Sequence, residues 1–250
     1  MKSKMCASLV CLSIHGAVLA QQPAAPEGQE EAIQVVEVNG VKNPELKPYR
    51  QMLKGLDAFE KNHQMAPDAP LKFQLVSSGK ELAFSAVTLV ISGSNTNVPV
   101  PVSTDGTFTL PRNQAAADDN ADLMSNQPKG LLRWRGDIHS PNVPADARRL
   151  GDLRLECEIS WGVGRDDMPF LTRNSVSLLG GLCHSKMIGL RYQAPYPLAS
   201  VTLVSGERRK EVPIDPKNRR VFWPPLADTS WDDDTLVVYG YAAPAAGGQQ

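Results

Sequence analysis

Apolar residues in this chain keep two different rhythms. In the segment NPELKPYRQMLKGLDAFEKNH they recur at Leu46, Tyr49, Leu53 and Leu56, with Met52 and Phe59 alongside. Steps of three and four place them on one face of a helix. Asn43 can cap it, Pro44 suits the first helical position and Glu45 the first turn. The spacing therefore predicts one amphipathic helix over residues 44–62, with Pro48 inside the tolerated first turn.

From residue 71 the rhythm becomes alternation. Leu71, Phe73 and Leu75 alternate with polar residues, and Val87–Ile91, Val98–Val102 and Thr107–Leu110 follow between Gly, Ser, Asn and Asp. Leu132–Arg135 alternates again. In DLRLECEISW, Leu153, Leu155, Cys157, Ile159 and Trp161 share one strand face, and Arg154, Glu156, Glu158 and Ser160 the other, the pattern of a half-buried antiparallel strand. Further strands are expected at Met187–Tyr192, Val201–Val204, Val212–Ile214, Val221–Trp223 and Leu236–Tyr241, and before the helix at Val35–Val38. Many short strands between turn signals predict a mainly β sandwich or barrel.

The alternating region also repeats. Displaced by 114 positions without a gap, Val87-Thr88-Leu89-Val90 falls on Val201-Thr202-Leu203-Val204, and Val98-Pro99-Val100 on Val212-Pro213-Ile214. Phe108 falls on Phe222, Pro111 on Pro225, and Asp118-Asp119 on Asp232-Asp233. A single register over such a span predicts two related antiparallel β-sandwich-like lobes, preceded by the one helix. The expected organisation is a signal peptide over 1–20, a disordered linker over 21–33, a strand and helix over 34–66, lobes over 67–136 and 137–241, and a disordered tail over 242–250.

The ends change the picture. The start, MKSKMCASLVCLSIHGAVLAQQ, sets Lys2 and Lys4 before an apolar run and small residues before Gln21, the layout of a secretory signal cut after Ala20. No stretch is long and apolar enough for a bilayer span. The expected location is the periplasm or the exterior, where disulfides persist. Losing residues 1–20 removes two Lys, so 26 basic residues fall to 24 against 27 acidic ones, a net charge of −3. That balance argues against a nucleic-acid partner. Cys6 and Cys11 leave with the signal, and Cys157 and Cys183 are expected to pair. The Gly- and Pro-rich segment between them lets the chain turn back, and the bridge closes a loop of about 27 residues.

Val102–Leu110, VSTDGTFTL, resembles the Thr-Asp…Gly-x-Phe hairpin of carboxypeptidase regulatory-like (transthyretin-like) β-sandwich domains, over residues 86–111. Asp105-Gly106 makes the turn, and Phe108 and Leu110 alternate inward. The second copy, Ile214–Phe222, keeps Asp215 and Phe222 but has no Gly. The resemblance implies lobes that serve as accessory modules without catalysis. The layout as a whole resembles that of exported bacterial proteins.

Candidate chemistry is sparse. His63, His139 and His184 stand in no zinc spacing. No nucleophile elbow, phosphate loop or dinucleotide fingerprint occurs. The acidic runs Asp118–Asp122, Asp166-Asp167 and Asp232–Asp234 lack the calcium-loop pattern and are expected on solvated loops. Arg135-Gly136-Asp137 follows an apparent strand. Trp134 and Trp161 fall on inward strand faces, whereas Trp223 and Trp231 are expected at the surface as a ligand-stacking pair. No catalytic residue, cofactor or metal is expected. The reading is a non-catalytic binding or scaffold module of the cell envelope, its partner an envelope protein or glycan. The alternatives are a secreted hydrolase assembled from distant residues, which a polar cleft with a perturbed Asp, Glu or His would favour, and a carbohydrate-binding adhesin.

Overall fold

The computed structural model describes residues 41–79 and 82–243. The expected signal peptide, linker, Val35–Val38 strand and all but the first two residues of the tail lie outside them. Among the described residues strand outnumbers helix, 31% against 26%, so the structure is mainly β with antiparallel sheets and a few helices. Among the described residues no helix is long and apolar enough to cross a membrane.

The chain opens with β1 (Pro44–Pro48) and α1 (Tyr49–Asn62). The expected helix start is thus five residues early. Asn43 holds a positive φ of 59° and caps nothing, because Pro44–Pro48 is drawn out as a strand against β6 (Asp122–Pro128). Pro48 then sits just before the helix, where its missing N–H costs nothing. Tyr49, Met52 and Leu56 are buried at helix positions one, four and eight.

β3 (Leu89–Ser92) pairs with β4 (Asn97–Val100) on one side and β6 on the other, giving the order β1-β6-β3-β4. A second sheet runs β5-β2-β7, from Thr107–Phe108, Leu71–Ser77 and Leu132–Ile138. Both sheets and α1 feed one apolar cluster that includes Phe73, Leu75, Leu89, Ile91, Phe108 and Leu123. Gly106, at φ 84°, makes the turn into β5 that Asp105-Gly106 predicted, and the Thr107 N–H donates to the Asp105 carboxylate. A short helix, α2 (Gln114–Asp118), capped by the Asn113 side chain, fills the connection to β6.

The next segment overturns the strongest strand reading. DLRLECEISW is not a strand; it lies within α3, Leu150–Gly164. Leu155, Ile159 and Val163 pack into the first apolar cluster, and Leu150, Leu153 and Cys157 into a second, with Trp161 against it. Leu155, Ile159 and Val163 step by four, as do Leu153, Cys157 and Trp161, and the two rows are offset by two. Two residues along a helix turn about 200°, so the rows occupy opposite faces. A helix buried on both sides therefore imitates strand alternation. Glu156, expected on a solvated face, is buried. The expectation of a single helix fails with it, since α4 (Phe170–Leu178) follows as well.

The remainder forms β8 (Ala147–Arg149, just before α3), β10 (Leu198–Ser205), β11 (Arg208–Glu211) and β13 (Leu236–Tyr241), in the order β11-β10-β13-β8, while β12 (Val221–Phe222) pairs with β9 (Tyr192–Gln193). Of Met187–Tyr192 only Tyr192 is strand, and Val212–Ile214 contributes a single bridge at Ile214. The two four-stranded sheets have the same succession: a strand leading into a helix, then the last strand, then a hairpin. Tyr49 N–H donates to Ala121 O at 2.9 Å, and Leu150 N–H to Thr235 O at 2.8 Å, acceptors 114 residues apart. Leu89 faces Ser125 and Leu203 faces Val237, two residues short of the register the offset requires. A slip of two keeps every side chain on its face. The expected boundary between residues 136 and 137 falls inside β7, and α3 serves both cores.

Candidate functional site

A cleft of about 800 Å³ opens where the two halves meet. One wall comes from β2 and β7, with Gln74, Arg135, Asp137, His139 and Ser140; the other from β8, residues 193–196 and β13, with Arg148, Tyr196, Tyr239 and Tyr241.

Its floor is a buried polar network anchored on α3. Asp152 and Glu156 lie one turn apart on the same helix face. Glu156 Oε1 accepts the Ile138 N–H at 2.9 Å, and Asp152 Oδ2 the Ser140 N–H at 3.0 Å, so two carboxylates hold alternate amides at the end of β7. Ser140 Oγ donates to Asp152 Oδ1 at 2.6 Å and accepts from Arg149 Nη1 at 2.9 Å. Arg148 Nη2 donates to Glu156 Oε1 at 2.6 Å and also to the Ile138 carbonyl. Burial is the largest influence on the Arg148 guanidinium and works downward; Glu156, Tyr239 and Asp152 together overcome it and raise its pKa. Burial, with Glu156 beside it, pushes the Tyr192 phenol well up. Burial likewise raises Tyr239. For Asp137 burial is the largest influence and works upward; His139, Arg148 and Arg135 together overcome it and hold the carboxyl below its usual range.

The ligating atoms of Asp137, His139 and Glu156 lie within 4.8 Å of one another. One imidazole and two carboxylates can ligate a divalent transition metal. Here Glu156 is engaged by Arg148 and an amide, and Asp137 contacts His139 Nε2 at 3.2 Å. The grouping escapes sequence inspection because two members come from a strand end and one from a helix. Arg135-Gly136-Asp137 lies on β7, with Gly136 buried, and not on a free loop.

Cys157 and Cys183 form the expected disulfide, with Cα atoms 5.8 Å apart. It joins α3, not a strand, to the turn after α4. Trp223 is half-buried and lines a smaller pocket of about 360 Å³ with Leu182, Leu190, Pro224 and Leu226. Trp231 is not a surface residue: it is 4% exposed, and the Arg208 guanidinium lies 4.2 Å from its ring centroid. Burial of Trp231 follows from Arg154, whose fork takes the carbonyls of Leu226, Asp228 and Trp231 and folds that loop inward. Trp134 and Trp161 are half-buried and pack on the first and second clusters respectively, Trp134 meeting Phe108 edge-on at 6.1 Å. The acidic runs are mostly spent on structure. Asp233 pairs with Arg154 at 2.6 Å, Asp234 with Arg149, Asp166 with Lys54, and Asp167 with Lys47.

The cleft is polar and holds a carboxyl with a shifted pKa, Asp137, the feature that favours the hydrolase alternative, and its most conspicuous chemistry is a set of guanidinium, carboxylate and phenol groups drawn from both halves. No family model, curated protein or solved structure matches the chain.

Proposed function

We propose that this protein is a non-catalytic exported binding module of the cell envelope, made of two related β-sandwich-like lobes that arose by internal duplication, with the cleft between them as its ligand site. The observation that carries the reading is the cleft itself, about 800 Å³ and walled by both halves. Pockets of that size with a few fixed polar groups are the usual setting for ligand recognition. Ser140 Oγ is held between Asp152 and Arg149, and Glu156 is bonded to Arg148, which supports recognition over turnover. Duplication is supported by the offset of 114 residues and by the matching order of the two four-stranded sheets. Kinship with carboxypeptidase regulatory-like domains is supported by the Val102–Leu110 segment, and export to the periplasm or exterior by the signal-like start and the disulfide. The partner is an envelope protein or glycan.

The test is capture of components from the organism's own envelope extract on the mature protein and on Ala145→Trp, which fills the cleft wall. A component retained by the native protein and lost by the variant is the expected result. Equal retention by both would remove the cleft from the function. New cleavage products in the extract would favour the hydrolase reading.

A further inference from the structure

We propose that the cleft receives an anionic group of its ligand, a carboxylate or a phosphate, between the guanidinium groups of Arg135 and Arg220. This rests on the reading of the cleft as the ligand site.

The charges of the cleft do not cancel. Asp152 is met by Ser140 and lies 3.9 Å from Arg149, Glu156 beneath the wall is bonded to Arg148, and Asp137 contacts His139. Every carboxylate around the cleft floor thus has a partner. Arg135 and Arg220 line the same cleft; among the described residues neither lies within ion-pair distance of a carboxylate, Arg135 acting on Asp137 only from further away, and their bonds go to a neutral amide and a backbone carbonyl.

Those bonds also fix the two side chains in place. Arg135 Nε donates to Gln74 Oε1 at 3.0 Å, and its Nη2 bonds the same oxygen. Arg220 Nε donates to the Ala194 carbonyl at 3.1 Å. Among the described residues, Nη1 of Arg135 and both terminal nitrogens of Arg220 have no protein acceptor. Holding a guanidinium by its inner nitrogen pays the rotamer entropy in advance and leaves the outer donors for a ligand. Their planar geometry matches carboxylate and phosphate oxygens. Arg135 comes from the first half and Arg220 from the second, so one anion would tie the halves together. Tyr196, exposed and edge-on to Tyr241 at 5.5 Å, offers an apolar rim for the rest of the ligand.

The experiment follows the arginine Nε–H signals by NMR while inorganic phosphate, galacturonate or galactose is added at constant ionic strength set with chloride. Saturable shifts of the Arg135 and Arg220 signals with phosphate or galacturonate, and none with galactose, are expected. Which of the two saturates first separates a phosphate from a carboxylate site. Arg135→Gln and Arg220→Gln should each weaken binding at least tenfold, while Arg209→Gln, an exposed arginine bonded only to nearby carbonyls, should leave it unchanged. Arg220 is exposed, so its variant tests the idea even if Arg135→Gln folds poorly. Linear drift, an equal response to galactose, or unaltered binding in Arg220→Gln would overturn the proposal. If the anions fail while Ala145→Trp still abolishes capture, the anion site falls and the cleft stands. If the anions bind while capture survives Ala145→Trp, the proposed function falls and the anion site remains.

Discussion

The first half of the chain lays α1 on its sheet through Tyr49, Met52 and Leu56; the second lays α3 through Leu150, Leu153 and Cys157, the same first, fourth and eighth positions. The difference lies on the other face. Behind its own core residues α3 carries Leu155, Ile159 and Val163, which enter the first half's core. Gly162 permits that approach, since a Cβ there would stand 2.6 Å from the Lys54 carbonyl oxygen of α1. One helix is thus common property, and its sequence carries both sets of contacts.

The halves also solve one problem with different residues. In the first, the Tyr49 hydroxyl donates to Pro111 O at 2.6 Å and accepts the Asn113 N–H at 2.8 Å, holding the chain before β6. In the second, Leu150 stands at the helix start without a hydroxyl, and Arg154 holds the corresponding chain before β13 through three carbonyls and Asp233. The second half alone inserts residues 165–191 between helix and next strand. Within that insertion α4 buries no residue, and Phe170, Leu171 and Leu178 are exposed.

The comparison can be broken most forcefully at α3. Leu153→Ala and Leu155→Ala face different cores, and each should cost about 2 to 5 kcal/mol. Because the helix is shared, urea unfolding of either variant should remain one transition by tryptophan fluorescence and by far-ultraviolet circular dichroism. Two separated transitions would show that the halves unfold independently.

Next comes the disulfide. Removing it by Cys157→Ser with Cys183→Ser should cost roughly 3 to 4 kcal/mol by the loop-entropy model. The loss should register first as protease cutting within residues 165–191, seen by intact mass, while both cores persist. Cutting spread evenly over the chain would deny that the insertion is a tethered addition.

The two loop anchors sharpen the comparison further. Arg154→Met leaves three carbonyls and a carboxylate without their donor and should cost about 2 to 3 kcal/mol, since bonds to a charged group are the stronger kind. Tyr49→Phe should cost about 1 kcal/mol. Chemical denaturation of both variants checks the ranking, and equal losses would mean that the anchors are not counterparts.

The smallest effect concerns pH and belongs to the junction. Asp137 has a folded pKa below its unfolded one, so as pH falls the unfolded chain takes up the proton first. Its contribution is present in full above the unfolded value of about 4 and is lost as pH drops through the lowered folded value. Asp137→Asn should therefore flatten the acid limb of the stability curve between pH 5 and about 2, measured by denaturation at stepped pH. An unchanged limb would show that His139, Arg148 and Arg135 do not act on this carboxyl.

Much of the architecture was legible in residue order. Alternation marked β2 and β13 because each has one face on the core and one facing outward, a local condition that the sequence writes directly. The disulfide was legible from the count of cysteines, although the strand assigned to Cys157 was wrong. The offset of 114 residues was legible because Phe108 and Phe222, which it superimposes, are both core positions and are buried alike. What remained hidden had non-local causes. Pro44–Pro48 became a strand only because β6 offers it an edge, and Trp231 is buried only because Arg154 folds its loop inward. DLRLECEISW was misread because periodicity reports how many faces are buried only when the neighbours are known. A helix between two cores and a strand on one core share the same alternation, and only the packing of α3 between the halves separates them. The cleft is the extreme case. Arg135, Arg148 and Arg220 have no common spacing in the chain and line one cleft only because two halves, each with its own core, share a helix and leave a polar seam between them.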